Sequence, residues 1–134
     1  MAESEAERQG AKPLAVIRAQ ATHAHEPAWF TTAPVGAIHK VLEAANWSAD
    51  EVDLYEINEA FAVVTMAAMT DLNLDHDKVN VNGGACALGH PIGASGARIL
   101  VTLIHALQSR GLKKGVAGLC IGGGEATAMA IELV

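Results

Sequence analysis

Aromatic side chains are scarce: two Trp, two Phe and one Tyr among 134 residues. The core must therefore be built from Ala, Val, Leu and Ile. That suits a layered α/β protein better than a small aromatic-cored barrel. Cysteine is nearly absent too, and Cys86 and Cys120 alone make no disulfide framework. Basic residues are few: nine Lys and Arg against fifteen Asp and Glu, for a net charge of −6. They form no stripe, which argues against a nucleic-acid surface, and the acidic balance makes a poor clamp for phosphates. No apolar run is long enough to span a membrane. The N-terminus, MAESEAERQG, is polar and acidic, unlike a secretory signal. The expectation is a cytoplasmic protein, one domain over residues 1–134, with neither membrane nor nucleic acid as partner.

Glycine, by contrast, is concentrated. Between Asn80 and Arg98 the chain reads NVNGGACALGHPIGASGAR, with Gly83, Gly84, Gly89, Gly93 and Gly96 around a single His90. Such density implies tight turns or close backbone approach. Further on, Cys120 precedes the run Gly122 to Gly124. A histidine and a cysteine, each at a glycine-rich turn, point to acyl chemistry. Imidazole can take a thiol proton and return it, and N–H groups of a glycine turn can converge on a negative oxygen.

Periodicity predicts a short helix at Glu3–Gln9 and a buried strand at Leu14–Ala21. A loop follows to Ala33, then a helix with Pro34 in its first turn and Val35, Ile38, Leu42 and Ala45 on one face. Ser48 and Glu51 have capping-box spacing. Val52–Ile57 reads as a strand, and Asn58 as the cap of a helix over NEAFAVVTMAAMTDL that Asn73 ends. A short strand at Val79–Val81 follows. Then come a helix from Ser95 to Arg110 stopped by Gly111, a strand at Val116–Cys120 and an antiparallel return at Ala126–Leu133. Strands alternating with helices predict a mixed, mostly parallel sheet covered on both faces.

Three blocks carry a resemblance. GGACALGHPIGASGAR is similar to the histidine motif of the thiolases, CIGGG (Cys120 to Gly124) to their second cysteine motif, and NEAF (Asn58 to Phe61) to their third block. Order and spacing match, and the similarity runs from about Glu3 to Val134. The resemblance implies a thiolase-like C-terminal domain without the N-terminal half that carries the nucleophilic cysteine. It also implies that the domain's first strand is absent from the middle of its sheet.

The resemblance assigns roles. His90 would activate the nucleophilic cysteine and stabilise the enolate oxygen. Cys120 would be the acid/base that deprotonates the acetyl-CoA methyl group. Asn58 would hold a water that forms an oxyanion hole with the histidine. The Gly122 N–H would contribute to a second oxyanion hole. Ala60 and Phe61 would lie near the acyl and pantetheine end of the substrate. Coenzyme A thioesters, acetyl-CoA and 3-oxoacyl-CoA, would be substrates, with no metal and no further cofactor. The missing N-terminal half would be the protein partner, and full-length members of the family are homo-oligomers.

Each of these residues has a plainer reading. Asn58 also reads as a helix cap and no more, and a cysteine ending an apolar strand is commonly core. Cys86, four residues before His90, reads as packing rather than nucleophile. His23 and His25 read as surface-loop residues rather than metal ligands. Two alternatives to a catalytic region stay open on the sequence. One is a separate subunit that docks onto an N-terminal half. The other is a thiolase-like module that binds acyl-CoA without turnover.

Overall fold

A computed structural model describes all 134 residues. Four strands form one hydrogen-bonded sheet: β1 (Ala15–Ala24), β2 (Leu54–Ile57), β3 (Lys114–Cys120) and β4 (Glu125–Leu133), in spatial order β1-β4-β3-β2. Helices α1 (Glu3–Arg8), α2 (Ala33–Ala45), α3 (Ala62–Asp71), α4 (Ala85–Leu88) and α5 (Ser95–Arg110) complete the fold, with 3-10 turns at Pro27–Thr32, Ala49–Glu51 and His76–Lys78. No helix is long and apolar enough to cross a membrane.

The sheet is mixed, as expected, but it is not mostly parallel. β2 and β3 pair in parallel, whereas β4 pairs antiparallel with both β3 and β1. Three of the four strands therefore run the same way. The cause of the difference is position: the returning strand β4 does not sit at the edge but inserts between β1 and β3. The expected gap for a lost central strand is also absent. Every strand is hydrogen-bonded to the next, and the first strand of the chain, β1, is an edge.

That edge placement corrects the reading of Leu14–Ala21 as buried. β1 shows alternating exposure, with Ala19, Ala21 and His23 half-covered and Arg18, Gln20 and Thr22 exposed. The first set packs under α2. The second faces solvent because α5 covers only the other end of the sheet. Arg18 is the extra residue where the β1 register shifts, and its guanidinium meets Glu132 at 2.6 Å.

Two apolar layers sandwich the sheet. On one face Ile38, Val41 and Leu42 of α2, with Ala68 and Leu72, close over Tyr55, Ile57, Val116, Ala126, Ala128 and Ala130. On the other, Ile99, Leu103, Ala106 and Leu107 of α5 cover Leu54, Ala117 and Ile131. Small residues on β3 and β4 let the helices approach closely. Gly115 meets the Leu103 side chain where any Cβ would stand. Helix ends follow the local signals. Asn46, Asn73 and Gly111 take left-handed backbone after α2, α3 and α5. The Glu51 carboxylate accepts the Ser48 N–H at 2.8 Å.

Two elements differ from expectation. Val79–Val81 reduces to a single bridge, Val79 to Tyr55. The helix of the NEAF block starts at Ala62, with Phe61 as its extended cap residue. Asn58 is thus not a helix cap. Its N–H continues the sheet by donating to the Gly118 carbonyl at 2.9 Å.

One ion pair ties the sheet to α5. Arg98 Nη1 donates to Glu56 Oε2 at 3.0 Å, with the Glu56 side chain 1 % exposed. Burial pushes the Glu56 carboxyl up to about 7, because desolvation outweighs the attraction of Arg98, and nearby Glu59 raises it further. A carboxyl raised in the folded state holds its proton more tightly there than when unfolded. Its stabilising contribution is full below the ordinary carboxylate range and is lost as pH rises through about 7. Urea unfolding at pH 6 and pH 8.5 should therefore show a loss of about 1 kcal/mol that Glu56→Gln removes. An identical pH slope in the variant would contradict this assignment.

Candidate active site

The parallel pair β2 and β3 ends on one side of the sheet, and the candidate residues gather there. Ile57 pairs with Gly118, so Asn58 emerges beside the end of β3, two residues before Cys120. Helix α5 runs antiparallel to β3. Leu103 packs on Gly115 early in the strand, while Gly96 and Leu119 share a small cavity near its end. The start of α5, and the His90 segment before it, therefore lie at the carboxyl end of the parallel strands. Ligands bind at that end in open α/β sheets.

Asn58 is completely buried, yet neither its Oδ1 nor its Nδ2 has a hydrogen-bond partner in the chain. An orphaned buried amide is costly and calls for a partner. The backbone around it is held by Asn80. In left-handed conformation, Asn80 accepts the Ile57 N–H through Oδ1 and donates Nδ2 to the Ile57 carbonyl, both at 2.8 Å. Its side chain thus pairs with the end of β2, an edge strand, as a neighbouring strand would. Sequence reading missed this residue, although an asparagine closing a short apolar run was the available signal.

His90 is exposed, and its Nδ1 lies 2.6 Å from Ser95 Oγ. Ser95, almost fully buried at the start of α5, donates its one hydroxyl proton to the Pro91 carbonyl at 3.1 Å. The short Nδ1 contact anchors the His90 ring to the first turn of α5. Its Nε2 has no hydrogen-bond partner in the chain, and a neutral imidazole can carry its proton on either nitrogen.

Cys120 is buried at the last position of β3. By strand alternation its side chain leaves the sheet on the α2 side, as does that of its partner Ala126. Burial pushes its thiol up, against a smaller lowering by a backbone hydrogen bond. The following turn is closed by the Ile121 N–H to the Glu125 carbonyl at 2.9 Å. Gly122 sits at φ +96° with an N–H that no group of the chain accepts. Gly124, at φ +100°, lies so close to the His25 carbonyl that a Cβ would collide with it.

Cys86 differs from Cys120. It is exposed, but the Glu59 carboxylate beside it holds its thiol up, with a small contribution from burial. A thiol kept protonated by a neighbouring carboxylate is a poor nucleophile. Glu59 itself is held below the usual range. Burial opposes this, but the Cys86 N–H at 2.9 Å and Asn80 Nδ2 at 3.2 Å outweigh it.

Ala60 is half-buried. Phe61 is 60 % exposed, its ring edge-to-face with Phe30 at 6.3 Å between centroids. Leu88, Ile92 and Ile121 are also exposed, giving this end an apolar surround. A groove of about 630 Å³ runs between α3 and the glycine segment, walled by Glu59, Met66, Asn80 and Cys86, and includes neither His90 nor Cys120. His23 is no surface-loop residue. It belongs to β1, with its imidazole against the backbone of Gly36, and His25 stands edge-on to it.

Known proteins match this chain closely. The model of the thiolase C-terminal domain matches residues 11–133. The acetyl-CoA acetyltransferase of Chromobacterium violaceum is 52% identical over 132 residues, 98% of this chain and 34% of that protein. The cytosolic acetyl-CoA acetyltransferase of Mus musculus is 51% identical over the same share of the chain and 33% of its own length. The crystal structure of human mitochondrial 3-ketoacyl-CoA thiolase superposes with a TM-score of 0.96 at 42% identity, covering 99% of this chain and 34% of that one. The chain thus spans about a third of the length of the relatives it matches.

The glycine turn offers a direct check. Gly124→Ala should destabilise the chain by about 2 kcal/mol or more, since it adds both a left-handed alanine and a clash with backbone. Gly10→Ala is the control: Gly10 also has a positive φ, +62°, but open space around it. It should cost about 1 kcal/mol. Chemical denaturation of the two variants compares them.

Proposed function

The chain belongs to the thiolase family as its C-terminal domain, and from that premise we propose that it is the acid/base half of an acyl-CoA C-acyltransferase site. The reaction is thiolytic cleavage of a 3-oxoacyl-CoA or its reverse, condensation of two acyl-CoA molecules. The observation that carries this reading is the orphaned, fully buried amide of Asn58 at the strand end shared with His90 and Cys120. A water on that amide, together with the His90 imidazole, forms the oxyanion hole for the enolate.

His90, its ring anchored through Nδ1 to Ser95, takes the proton of a nucleophilic thiol during acylation at Nε2. Cys120 removes a proton from the methyl group of the second acetyl-CoA, and in thiolysis returns one. The Gly122 N–H stabilises the oxyanion of the acyl intermediate. Ala60 and Phe61 line the approach of the acyl and pantetheine chain. No metal or redox group takes part.

The acyl-accepting thiol comes from the part of the relatives' length that this chain does not span. The protonated state of Cys86 and the open surround of Phe61, Leu88, Ile92 and Ile121 support that division. The assembled protein acts in the cytoplasm as a homo-oligomer.

The test is thiolysis of acetoacetyl-CoA, followed by loss of its enolate absorbance. The chain alone should give none, and the chain combined with a cysteine-bearing N-terminal half should turn over. In that assembly Cys120→Ala should lower condensation by a factor of about 10³ or more while acylation by radioactive acetyl-CoA persists. His90→Ala should impair both steps by factors of about 10² or more. Turnover by the chain alone that Cys86→Ser removes would overturn the assignment.

A further inference from the structure

Between Gly84 and Arg98 the chain carries His90 over a turn with exposed side chains at Leu88 and Ile92. Almost all hydrogen bonds of this segment are internal. The N–H groups of Ala87 and Leu88 go to the Gly84 carbonyl, that of Gly89 to Ala85, and those of Ala94 and Ser95 to Pro91. His90 itself bonds to Ser95. Apart from the α5 helix ladder, two bonds tie the segment to the rest of the fold, one near each end. At the entry, the Cys86 N–H donates to Glu59 Oε2 at 2.9 Å. At the exit, Arg98 Nη1 donates to Glu56 Oε2 at 3.0 Å. Both acceptors flank Asn58, at positions minus two and plus one.

We propose that Glu56 and Glu59 are positioning residues that staple the two ends of the His90 segment to the strand end carrying Asn58, and so fix the imidazole relative to the Asn58 amide.

Three observations support the staples. Gly84 lies directly against the Glu59 carboxyl group, where a Cβ would overlap it, so the segment is seated on this side chain. Glu59 also accepts Asn80 Nδ2, and Asn80 grips Ile57, the residue before Asn58. Glu59 therefore bears on the same backbone from two directions. At the other end, Arg98 lies one turn beyond Ser95, the residue that orients the His90 ring, so the pair with Glu56 sets the position of that turn. Glu59, held below the usual carboxylate range, stays a charged acceptor, which strengthens its bonds to the Cys86 N–H and Asn80.

Positioning matters because a displacement of about 1 Å between reacting groups can cost two orders of magnitude in rate. The proposal rests on the acyltransferase reading for its consequence in catalysis, but not for its structural content.

The structural test uses the ¹⁵N-labelled 134-residue chain. In the wild type the His90 ring should show one dominant tautomer, fixed by the Nδ1 contact with Ser95. Glu59→Leu should mix the two tautomers and speed amide exchange of Cys86 to His90 about tenfold or more, with exchange in α2 and β4 unchanged. Glu59→Gln keeps an acceptor and should restore both readouts. If the leucine variant does not fold, Glu59→Ser, polar but too short to reach the Cys86 N–H, takes its place. A folded Glu59 variant with wild-type tautomer and exchange would overturn the proposal. So would a Gln variant no better than Leu.

The second arm uses the assembly with the N-terminal half. Glu59→Leu should lower kcat for condensation about tenfold or more with little change in KM. An inactive wild-type assembly would count against the acyltransferase reading, and the ring-nitrogen comparison would still decide the staples. An active wild type with an equally active Glu59→Leu would overturn them.

Discussion

The turn from Cys120 to Glu125 is the constraint on which the architecture depends. It must reverse the chain within four residues and deliver β4 between β3 and β1, not outside them. Gly124 can do this because its backbone passes against the His25 carbonyl with no room for a side chain, and the His25 N–H returns a bond to the Gly124 carbonyl at 3.0 Å. That contact locks the end of β1 to the start of β4. Once β4 is central, β1 and β3 are forced to run the same way, each antiparallel to it. The same turn leaves Cys120 at the mouth of the sheet and the Gly122 N–H unspent.

Polar burial at the other side of that mouth follows a single pattern. Glu56, Asn58 and Ser95 are among the few buried polar residues, and all sit within the ends of β2 and α5. Burying a carboxyl beside a guanidinium adds little net stability, since desolvation consumes most of the Coulombic gain. Here it consumes more than the gain, as the raised Glu56 carboxyl indicates. The chain tolerates that cost and leaves one Glu56 oxygen, two Arg98 nitrogens and both Asn58 polar atoms without partners. A fold selected for stability alone would place apolar side chains there. Such a concentration is a mark of a functional site, where local consistency is given up for chemistry.

Much of this was readable from local pattern. The limits of α5, the left-handed Asn73 and Gly111, the Ser48–Glu51 box and the β3–β4 return follow from periodicity and termination chemistry, which act within a few residues. Strand order was not readable, because it is decided by β4 meeting β1 across more than a hundred residues. One clue was present and passed over. In β1, Arg18, Gln20 and Thr22 alternate with Ala19, Ala21 and His23, the signature of a half-exposed edge strand. Asn58 was misread because a good capping residue before a helical stretch has two outcomes. Its N–H went to the neighbouring strand, and Phe61 took the cap position instead. The bonds of Glu56 and Glu59 were invisible for a related reason: their partners lie 42 and 27 residues away.

The two cysteines show why residue type alone decides little. Both thiols are held up, but by different causes. At Cys120 the main cause is burial, which a change of surroundings can reverse: an added positive charge or a converging N–H would favour the thiolate. At Cys86 the main cause is the hydrogen bond to the Glu59 carboxylate, which the chain needs elsewhere to hold Asn80 and the Cys86 N–H. Releasing Cys86 as a thiolate would mean giving up the carboxylate that seats the glycine segment. The protein therefore keeps the more accessible thiol chemically quiet and leaves the buried one adjustable. In this fold the nearest carboxylate, rather than exposure, sets Cys86 apart from Cys120, which supports the acid/base role proposed for Cys120.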